Sequence, residues 1–266
     1  MLINFAREIR KLSLEMVAAS KASHIGSALS IADIVATLYE NILIYNSKKP
    51  LWENRDRFIL SKGHACVAVY AALACKGFIQ KKELKTYGKN YSKLMSHISH
   101  HVPGVEFSTG SLGHGLPFGV GKALICKKEN KKWRTYVLMS DGELGEGSNW
   151  EALLFASHHK LDNLMAIVDY NKLQSFGSIE NTLSLEPLEL KFRSFGWEVR
   201  VIDGHNFEEL YESLSKIPWV KNKPSIVIAK TIKGKGVSFM ENSVDWHYKS
   251  PTKEQLKKAL IEITNK

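Results

Sequence analysis

Two short apolar runs, Tyr136-Val137-Leu138-Met139 and Leu164-Met165-Ala166-Ile167-Val168, each stop at a polar turn. The first turn is Ser140-Asp141-Gly142-Glu143 and the second is Asp169-Tyr170-Asn171-Lys172-Leu173. Runs that are apolar on successive residues and closed by turn chemistry fit strands buried on both faces. If the two strands lie parallel, Asp141 and Asn171 arrive at one sheet edge, the edge where open α/β sheets hold ligands. The Asp141 carboxylate, the Asn171 amide oxygen and the Leu173 backbone carbonyl are hard oxygen donors. That set suits Mg²⁺, which completes its octahedron with water and phosphate oxygens. Gly142 lets a phosphate approach the backbone with no side chain in the way. The two turns read as a metal with a diphosphate beside it, although Asp-Gly is also an ordinary helix-capping turn.

The rest of the chain repeats the alternation. Helical apolar spacing covers residues 3–20 through Ile9, Leu12, Met16 and Val17. A second helix is expected over 30–42, with Ser30 as its cap and Asp33 in its first turn. Further helices are expected at 65–74, 115–126, 148–158 and 207–215, with Gly119 and Gly121 permitting close backbone approach in the second of these. Strands are expected at 58–60, 134–139, 164–168, 198–202 and 225–231. Strands alternating with helices imply an α/β, doubly wound, mostly parallel sheet with helices on both faces. Repeats, low-complexity tracts and Pro/Ser-rich linkers are absent, so residues 1–266 read as one domain. A short amphipathic tail, about 251–266, reads either as a docking element or as a frayed terminus.

With 266 residues, 44% of them hydrophobic, the chain can bury a full core. Cys66, Cys75 and Cys126 are odd in number, lack zinc-type spacing and sit among apolar neighbours, as buried thiols in a reducing compartment do. The first eight residues carry charges early and no apolar run approaches a membrane span, so a cytoplasmic protein without a membrane partner is expected. Net charge is +10, with lysines scattered rather than gathered on one face among aromatics. That pattern argues against nucleic acid and is consistent with a field favouring anionic ligands.

Five segments in order carry a resemblance along nearly the whole chain. Asp141-Gly142 followed by Asn171 is similar to the thiamine-diphosphate motif, an Asp-Gly pair and then Asn after about 25–30 residues. Ala22-Ser23-His24-Ile25-Gly26-Ser27 and Arg57-Phe58-Ile59-Leu60-Ser61-Lys62-Gly63-His64-Ala65 resemble the first two histidine motifs of transketolase. His97, followed by Pro103-Gly104-Val105-Glu106 and Ser108-Thr109-Gly110-Ser111-Leu112-Gly113, resembles the third. Ala229-Lys230-Thr231-Ile232-Lys233-Gly234-Lys235-Gly236 and then Trp246-His247 resemble the fourth. Departures exist: Ser96-His97-Ile98 replaces the common Gly-His-Pro, Ile25 replaces proline, and His114 stands where glutamine is frequent.

The resemblance implies a thiamine-diphosphate-binding fold, thiamine diphosphate and Mg²⁺ as cofactors, and transfer of a two-carbon ketol unit between sugar phosphates. It implies Asp141, Asn171 and Leu173 as metal ligands. Cofactor contacts would come from His64, Gly110, Ser111, Leu112, Asp141, Gly142, Glu143, Asn171, Lys233 and His247. His24, Ser27, His97 and His247 would contact substrate, and His24, His64, His97 and His247 would handle protons, as imidazoles suit. Glu146 would face the subunit boundary and connect paired active sites, although acidic bias at a helix start also explains it. His100 and His101 beside His97 leave a zinc cluster as an alternative. The family's complete enzyme is more than twice this length. Its second domain supplies the pyrimidine-side glutamate and the arginines that grip the sugar phosphate. Nineteen residues follow His247, too few for that domain. The expectation is the N-terminal half of a split transketolase, active only with a separate C-terminal subunit, in a heterotetramer of two each. Alternatives are a component resembling deoxyxylulose-phosphate synthase or a 2-oxo acid dehydrogenase α chain, and a non-catalytic scaffold.

Overall fold

The computed structural model describes residues 1–265. Its strands are β1 Arg57–Leu60, β2 Thr135–Ser140, β3 Leu164–Tyr170, β4 Glu198–Asp203 and β5 Ser225–Lys230. They form one five-stranded sheet, wholly parallel, in the order β1-β2-β3-β5-β4. Every strand expected from an apolar run is present. Along β1, β2, β3 and β5 successive apolar side chains enter opposite cores, as the pleat requires, while the edge strand β4 buries only Val199 and Ile202. Tyr136, Leu138, Met165, Ile167 and Val227 face one core, while Val137, Met139, Ala166, Val168 and Ile226 face the other.

Helices α1 Leu2–Ser20, α2 Ile25–Ser30, α3 Ala32–Thr37 and α4 Cys66–Cys75 lie over the first face. Helices α5 Gly115–Lys128, α6 Gly147–His158, α7 Ile179–Thr182 and α8 Leu188–Ser194 lie over the second. The chain then returns to the first face with α9 Phe207–Ser215 and α10 Lys253–Asn265. In α1 the apolar stripe behaves as its spacing predicts, with Ile9, Met16 and Val17 buried and Leu12 half-buried. Gly119 touches the sheet closely, since a Cβ there would lie 2.5 Å from Val137 Cγ2, but Gly121 faces open space. The tail is neither frayed nor free: α10 buries Ala259 and Ile263 against the α1 side of the core. Lys266, its last residue, lies outside the described residues. Cys66 and Cys126 are buried thiols, and Cys75 is half-buried. Among the described residues no helix is long and apolar enough to cross a membrane.

The helix expected over 30–42 is corrected. The chain turns helical already at Ile25, breaks at Ile31, resumes as α3 and ends in a π turn over Leu38–Ile42. Ser30 therefore caps nothing. Its hydroxyl is fully buried and reaches the Asp169 carboxylate on β3 at 2.7 Å. Asp33 does lie in the first turn of α3, but its partner is not the helix dipole. Arg10 of α1 grips both its oxygens, at 2.8 and 2.6 Å, with the pair almost fully buried.

Burial alone would raise the Asp33 carboxyl, but the Arg10 guanidinium and a hydrogen bond from His205 outweigh it and hold the group below the usual carboxylate range. A depressed folded pKa contributes stability above the unfolded value, and loses it as pH falls through the folded value. Urea unfolding should show stability falling as pH drops below about 4. Arg10→Ala, which strands a buried carboxylate, should cost about 3–5 kcal/mol at pH 7. It should also flatten the acid limb; an unchanged acid limb would rule out this pair as its source.

Candidate active site

Because the strands are parallel, their carboxyl ends open on one edge, and four chain segments converge there on a single ion pair. Lys62, just past β1, places its ammonium on the Asp169 carboxylate near the end of β3, with the two side chains 1% and 0% exposed. The same ammonium reaches the Ser27 carbonyl at 3.3 Å. Asp169 also accepts from Ser30 Oγ, from Asn171 Nδ2 at 3.0 Å and from the Thr231 hydroxyl beyond β5. Burial would raise the Asp169 carboxyl, yet the Lys62 charge overrides it and keeps the group ionised below the usual range. Lys62 and Asp169 lie inside the motifs, but sequence reasoning gave them no role in the site. The available signal is a lysine directly after a buried strand, where a charge needs a partner.

Asp141 follows β2 directly and is 1% exposed. Its two oxygens accept from the backbone N–H groups of Gly142 at 2.7 Å and Lys172 at 2.6 Å. Lys172 adopts a left-handed φ of 63°, which turns the chain back between Asn171 and Leu173. The Asn171 amide is oriented by its donor bond to Asp169, leaving Oδ1 to accept from Leu173 N at 3.0 Å. Burial first, then the neighbouring Asp169 charge, push the Asp141 carboxyl up to about 7. It forms no ion pair among the described residues, so a bound cation is what would hold it ionised. The Leu173 and Gln174 carbonyls already attract one cation, the Lys233 ammonium, at 3.1 and 3.2 Å. A Cβ on Gly142 would press to 3.0 Å from Gln174 Cγ and crowd this cradle. The oxygen chemistry and the unpaired buried carboxyl fit Mg²⁺ with a diphosphate.

Four histidines gather over the same cavity, which holds about 230 Å³. The His24 ring lies 5.2 Å from His64, 5.7 Å from His97 and 4.9 Å from His247, centroid to centroid. His24 is itself strained, with φ at 73°, and is pinned by its N–H donating to the His247 carbonyl at 2.7 Å. His97 separates cleanly from its neighbours. Its carbonyl accepts from the Tyr70 hydroxyl of α4 at 3.0 Å, whereas His100 and His101 lie against each other as tilted rings 4.3 Å apart, exposed, with His100 bound to Ser108. Burial, followed by charge on His97, Lys233 and Lys62, brings His24 down to about 4. Burial, then Lys233, brings His247 down to about 3. Burial and Lys62 hold His64 well below its ordinary value, and burial lowers His97. All four are neutral imidazoles at pH 7, each able to donate at one nitrogen and accept at the other. Burial and the Lys62 charge bring the Lys233 ammonium down to about 8, with Nζ 3.1 Å from His247 Nδ1.

Ser27, Gly110, Leu112, Gly142, Asn171 and Leu173 also line the cavity. Ser111 is exposed and not on its wall. The Glu143 side chain does not reach the cavity: it is fully buried, accepting from the Ser61 hydroxyl, Gly113 N at 2.9 Å and Ser140 N at 3.2 Å. It ties the Gly110–Gly113 turn to the end of β2 rather than offering an acceptor to a ligand. Glu146 is exposed at the start of α6, beside Gly113 and outside the cavity. Wall residues given no site role from sequence are Lys62, Ser140, Gln174, Ser175 and Tyr248. Serine, glutamine and tyrosine in turns carry no pattern of their own.

The sequence matches the family described as "Transketolase, thiamine diphosphate binding domain" over residues 3–262. It is 42% identical over 257 residues to an apulose-4-phosphate transketolase subunit of Phocaeicola vulgatus, covering 97% of this chain and 92% of that protein. It is 40% identical to the "6-deoxy-6-sulfo-D-fructose transketolase subunit SqwG" of Clostridium sp. (strain MSTE9), covering 97% and 94%. The crystal structure of transketolase from Campylobacter jejuni superimposes with a TM-score of 0.94 at 34% identity. That match covers 99% of this chain and 42% of that one, so this chain spans about two fifths of the length of the solved transketolase.

Breaking the Lys62–Asp169 pair from one side should be costly, because the remaining charge is left buried and unpaired. Lys62→Met, which leaves Asp169 charged and buried, is expected to cost about 3–5 kcal/mol in chemical denaturation. Adding Asp169→Asn should recover part of that loss; equal and additive losses would mean the two groups do not depend on each other.

Proposed function

This chain belongs to the transketolase family, as its thiamine-diphosphate-binding domain, and from that membership we propose that it is the N-terminal subunit of a two-chain transketolase. The reaction is transfer of a two-carbon ketol unit from a ketose phosphate to an aldose phosphate. Residues 1–266 serve as one diphosphate-binding domain in the cytoplasm. The observation that carries the reading is the single cavity that sets four neutral histidines over the Asp141–Asn171–Leu173 oxygens. Relatives of nearly equal length, named as subunits, support a separate companion. That companion would be the C-terminal subunit, with two of each completing the paired sites.

In this reading Asp141, Asn171 and the Leu173 carbonyl hold Mg²⁺, and Gly142 lets the diphosphate lie against the backbone. Lys233, which sits on the Leu173 and Gln174 carbonyls, would serve the diphosphate oxygens, and the wall residues Gly110 and Leu112, with exposed Ser111 between them, would run along the cofactor. Thiamine diphosphate, when bound, supplies the nucleophilic carbon and the electron sink for breaking and making a bond beside a carbonyl. Neutral imidazoles suit the proton traffic, since each can give a hydrogen bond to a carbonyl oxygen or take a proton from a hydroxyl. His64 and His247 serve cofactor groups and protons, with His247 also reaching substrate. His24, His97 and Ser27 hold the sugar oxygens. Glu143 acts from beneath by fixing the Gly113 turn, and Glu146, exposed at the start of α6, faces the subunit boundary.

The experiment is reconstitution. Mixing this chain with its companion should produce activity with xylulose 5-phosphate and ribose 5-phosphate that neither chain has alone. In the mixture Asp141→Ala should abolish Mg²⁺-dependent thiamine-diphosphate binding in calorimetry and reduce turnover at least about 100-fold. Full activity of the isolated chain would defeat the two-subunit reading, and unchanged cofactor affinity in Asp141→Ala would defeat the assigned metal site.

A further inference from the structure

We propose that Arg10, Asp33 and His205 form a buried brace that positions Lys233, making His205 a positioning residue of the site. None of the three lines the cavity. The loop that follows β5 carries Lys233, and the brace holds that loop by backbone atoms on both sides of it. Ile232 N–H donates to His205 Nε2 at 2.9 Å, and the Lys235 carbonyl accepts from Arg10 Nε at 3.1 Å. Between these two grips lies the residue whose ammonium touches Leu173 O, Gln174 O and His247 Nδ1.

The chemistry of each member fits a brace better than a simple ion pair. Since Nε2 accepts from Ile232, the His205 proton sits on Nδ1 and donates to Asp33 Oδ2 at 2.7 Å. Asp33 fixes that tautomer while receiving both terminal nitrogens of Arg10. Arg10 thus spends two donors on Asp33 and a third on the loop, a fork lysine cannot copy. The neighbouring attachments agree: the Thr231 hydroxyl bonds to Asp169, and Gly234 N–H donates to the Gly26 carbonyl at 2.9 Å. A pair needed only to join α1 to α3 would not require a histidine turned toward the loop backbone. His205 is tied to the site by the backbone of the loop that carries Lys233.

The inference rests on the reading that Lys233 serves the diphosphate, and two readouts separate the failure of each. His205→Asn can keep a donor toward Asp33 but withdraws the acceptor from Ile232; His205→Gln can return an oxygen where Nε2 stood. By hydrogen exchange on the full chain, amides of residues 231–236 should exchange about fivefold to tenfold faster in His205→Asn, the weight of one backbone hydrogen bond. Amides of β2 and β3 should keep their protection, and His205→Gln should restore part of the loop's. In the two-chain assembly, calorimetry with Mg²⁺ and thiamine diphosphate should show His205→Asn binding about fivefold more weakly. The double variant with Lys233→Ala should bind no worse than Lys233→Ala alone, within about twofold. Unchanged loop exchange, an equal loss of protection through the sheet, or fully additive losses of affinity would each overturn the proposal. Failure of the wild-type assembly to take up cofactor would instead strike the functional reading, while the exchange result would still decide whether the brace orders the loop.

Discussion

Lys62 is buried to 1% exposure against a carboxylate equally buried, and the Lys62–Asp169 pair is the fixed point of this carboxyl edge. Asp169 gathers bonds from α2 through Ser30, from the metal loop through Asn171 and from the Lys233 loop through Thr231. Lys62 adds the Ser27 carbonyl and belongs to the turn that presents His64. Segments far apart in sequence thus acquire one geometry from one desolvated charge pair. That pair contributes more to uniqueness of arrangement than to net stability, because desolvation offsets most of its attraction.

The same desolvation shapes the chemistry above it. Burial keeps the four imidazoles neutral, reinforced at His24, His64 and His247 by two buried ammonium groups, with His24 near 4 and His247 near 3. Burial, and then the Asp169 charge beside it, push Asp141 up to about 7. The cavity floor is short of a cation and its wall short of an anion. A dication with a diphosphate answers both needs at once, which is the electrostatic sense of placing these loops together. His205 and Arg10 extend the arrangement outward, holding the Lys233 loop from outside the cavity.

Much of the fold was legible because parallel strands buried on both faces read as continuous apolar runs, whatever surrounds them. The runs ending at Asp141 and Asn171 also put both residues at one edge, since parallel strands share their carboxyl side. Ser30 looks like a cap because capping is a local pattern, whereas its actual partner, Asp169, lies 139 residues away. Helices α7 and α8 are too short to show a period. Glu143 stands among the cofactor contacts by its motif, yet its carboxylate is spent on Ser61, Gly113 and Ser140. Motif membership does not say which way a side chain points.

By itself the sequence determined the strand order of chemistry: which residues follow which buried run, and hence that a carboxylate, an amide and a carbonyl meet at one edge. It also supplied three histidines within five residues, His97, His100 and His101, among which local pattern does not decide and only the resemblance to the family motif selected His97. Tertiary structure separates them in space, drawing His97 to 5.7 Å from His24 and leaving the other two in solvent. It alone decided that Asp33 answers Arg10 and His205, and that Lys62 answers Asp169. The reason is physical: periodicity and turn chemistry act over a few residues, but a buried charge is settled by whichever opposite charge the fold brings within reach.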